Sequence, residues 1–359
     1  MARVVPPRSR RAGSLRIVPQ RWFPGTVSDY GRVDSSKGAG VRALITGVAG
    51  FIGSNLAESL VAEGHQVLGV DSFTSFYDRI SKEDNVAGLT GARTFHLERA
   101  DLCGADLARL LRGVDVVFHN AAQPGVRDSW SERFADYVTN NVLATQRLLE
   151  ACRRASVSRV VYASSSSVYG NAASYPARES DLPAPHSPYG VTKLAAEQLC
   201  NLYAANWGLP TVALRYFTVF GPRQRPDMAF RRLVEASLTR TPFPLYGTGD
   251  QIREFTYVGD VVRANVLAAT ADLEPGAVLN IGGGGEQRLS GVIDLVGELA
   301  GEPVKIEEHP AQPGDVIRTG ADITLAHRQL GWEPRTSLRS GLVAQLAWQR
   351  TRQHRLISR

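Results

Sequence analysis

The chain has 359 residues, 43% hydrophobic and 21% charged, enough for one large or two modest globular domains with a sizeable core. That composition excludes a disulfide mini-scaffold, a collagen-like repeat and a mostly disordered chain, and no run of about 18 apolar residues is present to span a bilayer. Residues 1–40 carry eight basic and two acidic side chains, so the formal +6 resides there, while residues 41–359 balance at 33 of each and offer no charge excess for a nucleic acid.

Residues 1–40, rich in Arg, Pro, Gly and Ser, read as a disordered basic extension. Translation beginning near Val41 is one expectation, which N-terminal sequencing of the native protein would reject by finding residues upstream of Val41, and a transit peptide is another. From Val41 the pattern alternates. Strands are predicted at 41–46, 66–70, 93–97, 114–119, 159–164 and 211–215, and helices at 52–63, 134–155 and 188–206. Short β-rich runs alternating with helical runs indicate a parallel sheet covered by helices on both faces. Past Arg215 the regularity fades. Helices are expected at 227–239, 259–271, 289–300 and 338–350, and the glycine run 282–285 reads as a flexible loop after the strand VLNI. Three domains of sequence follow: the tail, a doubly wound unit over 41–215 onto which 251–272 packs back, and a smaller C-terminal α/β unit over most of 216–359.

The first strand runs directly into TGVAGFIG (46–53) and a helix. Gly47 permits the tight turn, Gly50 leaves room for a pyrophosphate, and Gly53 lets helix and strand approach, while the N–H groups around Phe51 and Ile52 face the anion. Asp71 ends the second strand, 18 residues after Gly53, where a carboxylate accepts both ribose hydroxyls of NAD and repels the extra phosphate of NADP. Asp101 and Leu102 follow the third strand, placed to reach an adenine. Asn120-Ala121-Ala122 follow the fourth, where small residues let the backbone pass a cofactor.

Tyr189 and Lys193 stand four apart in SPYGVTK, on one face of a predicted helix. A nearby ammonium favours phenolate, so the Tyr189 pKa is expected to fall toward working pH and the phenol to exchange a proton with a hydroxyl during hydride transfer. ASSSSVYG (163–170) puts hydroxyls at a strand end beside this pair. The three cysteines, Cys103, Cys152 and Cys200, form no CxxC and point to a reducing, cytoplasmic setting. The seven histidines show no ligand spacing, and no metal is expected.

Together these residues resemble the extended short-chain dehydrogenase/reductases, specifically the nucleotide-sugar epimerases and dehydratases, over roughly 41–350. The resemblance implies a Rossmann domain with tightly held NAD and a C-terminal domain for a UDP-sugar. It also implies a homodimer formed through 134–155 and 188–206. It assigns Ser165 as the catalytic hydroxyl, Tyr189 as base, Lys193 as its partner and Asp101 as the adenine contact. Ser166 and Ser167 stand where dehydratases carry an Asp-Glu pair and decarboxylases a Glu, so the proton source for those outcomes is missing. RYFTVFGPRQRPDMAF (215–230) resembles UDP-glucuronate 4-epimerases, with Thr218 and Arg225 near the sugar carboxylate. Arg253 matches a diphosphate contact and Asp315 a uridine-ribose contact. Asn120 departs from a family position that is often small and apolar, and Gln312 stands where galactose epimerases carry Arg. A 4-epimerase of a neutral UDP- or dTDP-sugar, a uronate decarboxylase and a non-catalytic NAD-sensing scaffold are the alternatives.

Overall fold

The computed structural model describes residues 40–357 apart from 131, 173, 284 and 312–315; residues 1–39 of the basic tail, Gln312 and Asp315 lie outside the described residues. The strands are β1 (Arg42–Thr46), β2 (Gln66–Asp71), β3 (Phe95–Arg99), β4 (Val116–His119), β5 (Arg159–Ser165), β6 (Thr211–Tyr216), β7 (Val219–Phe220), β8 (Phe243–Tyr246), β9 (Ile252–Glu254), β10 (Thr256–Tyr257), β11 (Ala277–Ile281), β12 (Glu286–Arg288) and β13 (Ile306–His309). The helices are α1 (Phe51–Ala62), α2 (Arg79–Ala87), α3 (Leu107–Leu110), α4 (Phe134–Tyr137), α5 (Ala144–Ala155), α6 (Pro188–Trp207), α7 (Ala229–Thr239), α8 (Val258–Thr270), α9 (Leu289–Ala300), α10 (Thr324–Leu330) and α11 (Leu338–Ile357).

Seven strands form one parallel sheet in the order β11-β6-β5-β4-β1-β2-β3. The order reverses between β1 and β4, and a crevice opens there at the carboxyl ends of the strands. Each central strand is apolar on both faces because helices cover both. Val261, Val262 and Ala268 of α8 join Leu56 and Leu60 of α1 in one core, and Leu148, Leu149, Ala196 and Cys200 of α5 and α6 join Leu107 and Leu110 of α3 in the other. A further core unites Phe220, Phe230, Leu233, Phe243, Phe255, Val292, Val296 and Leu342 from the C-terminal elements.

Several expectations change in detail. The strand expected at 93–97 lies at 95–99, because pairing to β2 sets Val67 opposite Phe95 and Asp71 opposite Arg99. Helix α2, which carries no strong apolar period, is started by Asp78, whose carboxylate accepts the Ile80 and Ser81 N–H groups at 2.9 Å each. The helix over 134–155 is interrupted by a π-helical stretch at 138–143. Asn141 sits in that wider turn, accepts the Gln123 N–H at 2.6 Å and donates to Thr192 Oγ1 at 2.9 Å, pinning the loop after β4 to α6. The glycines at 282 and 283 are close-approach positions rather than slack. A Cβ at Gly282 would lie 2.6 Å from the Ala321 Cβ, and one at Gly283 1.7 Å from the Phe255 oxygen.

Candidate active site

The crevice at the sheet reversal is lined by the glycine-rich turn, Asp71, Asp101, Leu102, Ala121, Tyr189, Lys193 and Arg225, with Phe51 and Ile52 at the head of α1. The turn is built as its glycines require. Gly47 has φ +68°, and a Cβ there would lie 2.8 Å from the Ala121 nitrogen; a Cβ at Gly53 would lie 2.2 Å from the Gly47 oxygen. Gly50 takes the N-cap position of α1 with no side-chain cap, so the first-turn N–H groups remain directed at the crevice. The buried Asp71 carboxylate accepts the Ala49 N–H at 3.0 Å and the Phe73 N–H at 2.7 Å. Asp101 is exposed and accepts the Cys103 N–H at 2.7 Å, next to buried Leu102. The side-chain amide of Asn120 has neither its nitrogen nor its oxygen partnered among the described residues, and it too lies on this crevice. A glycine cradle closed to any Cβ, a helix N-terminus and a fixed carboxylate together fit a dinucleotide, with the pyrophosphate at α1 and a ribose at Asp71.

Helix α6 begins at Ser187, whose hydroxyl accepts the Gly190 N–H at 3.1 Å, and Pro188 occupies its first turn. Tyr189 and Lys193 thereby face the ends of β5 and β6. Lys193 Nζ donates to the Ala163 carbonyl at 2.5 Å and lies 4.3 Å from the Tyr162 ring centre. Burial lowers its pKa to about 7, with Cys200 and Glu197 opposing. The expectation for Tyr189 is corrected. Burial raises its pKa above the usual 10.0, and the groups that pull it down are Arg225 and the Ser165 hydroxyl, not Lys193. The Lys193 ammonium, though on the same crevice, donates to the Ala163 carbonyl, and Arg225 is the cation that acts on the phenol.

Ser165 lies at the end of β5, accepts the Ser167 N–H at 3.1 Å and, by its hydroxyl, lowers the pKa of the Tyr189 phenol. Ser166 and Ser167 are half-buried in the one-turn helix that follows. Arg225 is held by Asp227 through two bonds of 3.0 and 2.9 Å. Thr218 is half-buried, and its carbonyl accepts the Thr256 N–H at 3.0 Å. Neither Thr218 nor Arg253 lines the crevice. Arg253 extends from β9 and donates to the carbonyls of Ile252, Val316 and Ile317.

Thr74, Tyr77 and Lys82 also line the crevice, though no motif marks them. Lys82 lies 3.9 Å from Asp71 and donates to Thr74 Oγ1 at 3.2 Å. The buried Tyr77 hydroxyl has no hydrogen-bond partner among the described residues. The available signal is the aromatic-polar run SFTSFYD immediately after Asp71, which has no periodicity and is too long for a tight turn.

The profile of the NAD dependent epimerase/dehydratase family matches residues 43–282. The chain is 42% identical over 309 residues to an uncharacterized UDP-glucose epimerase, YtcB, of Bacillus subtilis (strain 168), covering 86% of this chain and 98% of that one. It is 34% identical over 311 residues to a UDP-glucuronate 4-epimerase of Thermodesulfobacterium geofontis (strain OPF15), covering 85% and 95%. Its fold matches the crystal structure of UDP-glucuronic acid 4-epimerase from Bacillus cereus in complex with UDP-glucuronic acid and NAD. The TM-score is 0.84 at 41% identity, covering 87% of this chain and 99% of that one.

Proposed function

This chain belongs to the NAD dependent epimerase/dehydratase family, and on that premise we propose that it catalyses the NAD-dependent 4-epimerisation of a UDP-hexuronate, interconverting UDP-glucuronate and UDP-galacturonate through a transient 4-keto sugar. The observation that carries this reading is the convergence of Tyr189 and Arg225 on the crevice that holds the glycine-rich turn and Asp71. The sugar epimerases named above, of 34–42% identity, supply the reaction class.

When bound, NAD supplies the acceptor and donor of the hydride at C4. The N–H groups at the head of α1 would hold its pyrophosphate, and Asp71 a ribose. Tyr189 Oη takes the proton of the sugar 4-hydroxyl and returns it, while Ser165 hydrogen-bonds the same oxygen. Lys193 is cationic only in part near neutral pH, since burial holds its pKa at about 7. Arg225, on the same crevice, pulls the Tyr189 pKa down and so favours the phenolate needed for that proton exchange. Arg225 receives the sugar carboxylate. A 4-keto uronate is a β-keto acid that loses carbon dioxide readily, and a fixed guanidinium keeps the carboxylate out of the orientation required for that loss. We assign Thr218, Ser166 and Ser167 to the sugar, Arg253 to the diphosphate and Asp315 to the uridine ribose.

The proposed division is a Rossmann unit over 41–215 joined by 251–272, and a nucleotide-sugar unit over most of 216–359. A homodimer is proposed through 134–155 and 188–206, where Val138, Leu143, Val191 and Leu202 are exposed apolar side chains. The cytoplasmic setting rests on the free thiols Cys103, Cys152 and Cys200. Among the described residues no helix is long and apolar enough to cross a membrane.

The test is incubation of the purified protein with UDP-glucuronate and chromatography of the products. UDP-galacturonate is expected. UDP-xylose would replace epimerisation by decarboxylation, and no product alongside turnover of UDP-glucose would favour the neutral-sugar reading that the Bacillus subtilis relative's name suggests.

A further inference from the structure

Three successive residues at the end of β5 are each tied to a different turn of α6. The Ala163 carbonyl accepts from Lys193 Nζ at 2.5 Å, the Ser164 hydroxyl donates to Glu197 Oε2 at 2.6 Å, and the Ser165 hydroxyl is near enough to Tyr189 to lower the pKa of its phenol. Tyr189, Lys193 and Glu197 succeed one another every four residues, so one stripe of the helix makes all three ties. Strand side chains alternate in direction, so Ser164 reaches Glu197 only if Ser165 points the other way. The middle tie therefore fixes the rotation of the strand end that presents Ser165.

Glu197 is fully buried, and its carboxylate is gripped by Arg215 through Nη2 at 2.6 Å and Nε at 3.0 Å. A buried pair of this kind is a weak source of net stability, because desolvation offsets the attraction; register is the better-attested use. The pair also reaches outward. Arg215 Nη1 donates to the Tyr169 hydroxyl at 2.6 Å, and that hydroxyl donates to Asn280 Oδ1 at 2.8 Å. Asn280 Nδ2 donates to the Ala177 carbonyl at 2.9 Å. Ala177 also exchanges backbone bonds of 2.8 Å with Gly320 and Asp322, in the segment whose carbonyls at 316 and 317 receive Arg253. A continuous buried chain of bonds thus runs from the helix carrying the base to the segment beside the proposed diphosphate contact.

We propose that Glu197, locked by Arg215, is a positioning residue: through Ser164 it sets the rotation of the β5 end, and so holds the Ser165 hydroxyl on the Tyr189 phenol during the reaction. Neither Glu197 nor Arg215 lines the crevice, and both act through the residues they hold. Ser164 also borders the crevice, but its hydroxyl is engaged by Glu197.

This inference rests on the epimerase reading, and the experiment separates the two. Ser164→Ala removes the tie and leaves the Glu197–Arg215 pair intact, so the fold is retained. With kcat expressed per bound NAD, it should fall about 10- to 100-fold, the range for a small misplacement of a reacting group. KM for the UDP-sugar should stay within about twofold and NAD content should be unchanged. Glu197→Gln, checked for cooperative melting, should reproduce that split. An unchanged kcat in Ser164→Ala, or a loss confined to KM or to NAD content, overturns the positioning role. If the wild type turns over UDP-glucose but not UDP-glucuronate, the substrate assignment fails and the same comparison on UDP-glucose still decides the inference. A wild type silent on both sinks both.

Discussion

Replacing Gly47 by Ala probes the cofactor turn with least ambiguity, because a second glycine provides the control. Gly47 has φ +68°, a left-handed conformation that costs an L-residue about 1–2 kcal/mol. Its new Cβ would also lie 2.8 and 2.9 Å from the Ala121 nitrogen and Cα. These are backbone atoms of the loop after β4, which the Asn141 amide holds by its bond to the Gln123 N–H, so they cannot swing aside as a side-chain tip would. Overpacking of this sort adds about 1–3 kcal/mol. Gly64, in the turn after α1, has φ +83°, and a Cβ placed there would meet nothing within 4 Å, so Gly64→Ala incurs the strain alone. Urea denaturation should show a loss of about 1–2 kcal/mol for Gly64→Ala with wild-type NAD content. Gly47→Ala should lose about 2–5 kcal/mol in total and bind NAD at least tenfold more weakly, by titration of stripped protein. Equal stabilities for the two variants, or wild-type NAD affinity in Gly47→Ala, would refute the claim that close approach of Ala121 dictates this glycine.

Tyr189→Phe should cut turnover about 10²–10⁴-fold while NAD stays bound; near-normal turnover would remove Tyr189 as base. Arg225→Leu should depress kcat/KM for UDP-glucuronate far more than for UDP-glucose, and equal losses would cancel its carboxylate role. Arg215→Met should destabilise by about 3–5 kcal/mol by stranding the buried Glu197 charge, and adding Glu197→Leu should recover most of it in urea melts; no recovery would mean that packing, not charge, carries the pair. His119 lies buried between Thr46 and Thr145, and burial and then Lys193 press its pKa from 6.5 down to about 3. The unfolded chain then binds a proton that the native state refuses, so this contribution is complete above pH 6.5 and is lost as pH falls toward 3. Urea midpoints between pH 7.5 and 5.5 should reflect up to about 1.4 kcal/mol per pH unit from this one group, and His119→Gln should flatten the slope.

Local patterns determined much of this protein. The glycine spacing after β1, the carboxylate ending β2 and the four-residue step from Tyr189 to Lys193 are legible because each is set within one turn or one strand end. The parallel, doubly wound sheet is legible because buried strands and amphipathic helices differ in period. Tertiary structure decided what depends on distant segments. The two-residue shift of β3 comes from its pairing to β2, and the tightness of Gly282 and Gly283 from Ala321 and Phe255 across the fold. Thr74 and Tyr77 enter the crevice from a loop without periodicity, and Lys82 from the helix α2 that follows it. The proton affinity of Tyr189 cannot be judged from its neighbour in the helix, because burial and a guanidinium 36 residues away in sequence outweigh an ammonium that turns to a strand carbonyl. Charge and solvation are summed over space, and a linear pattern records only the part of that sum contributed by neighbours in the chain.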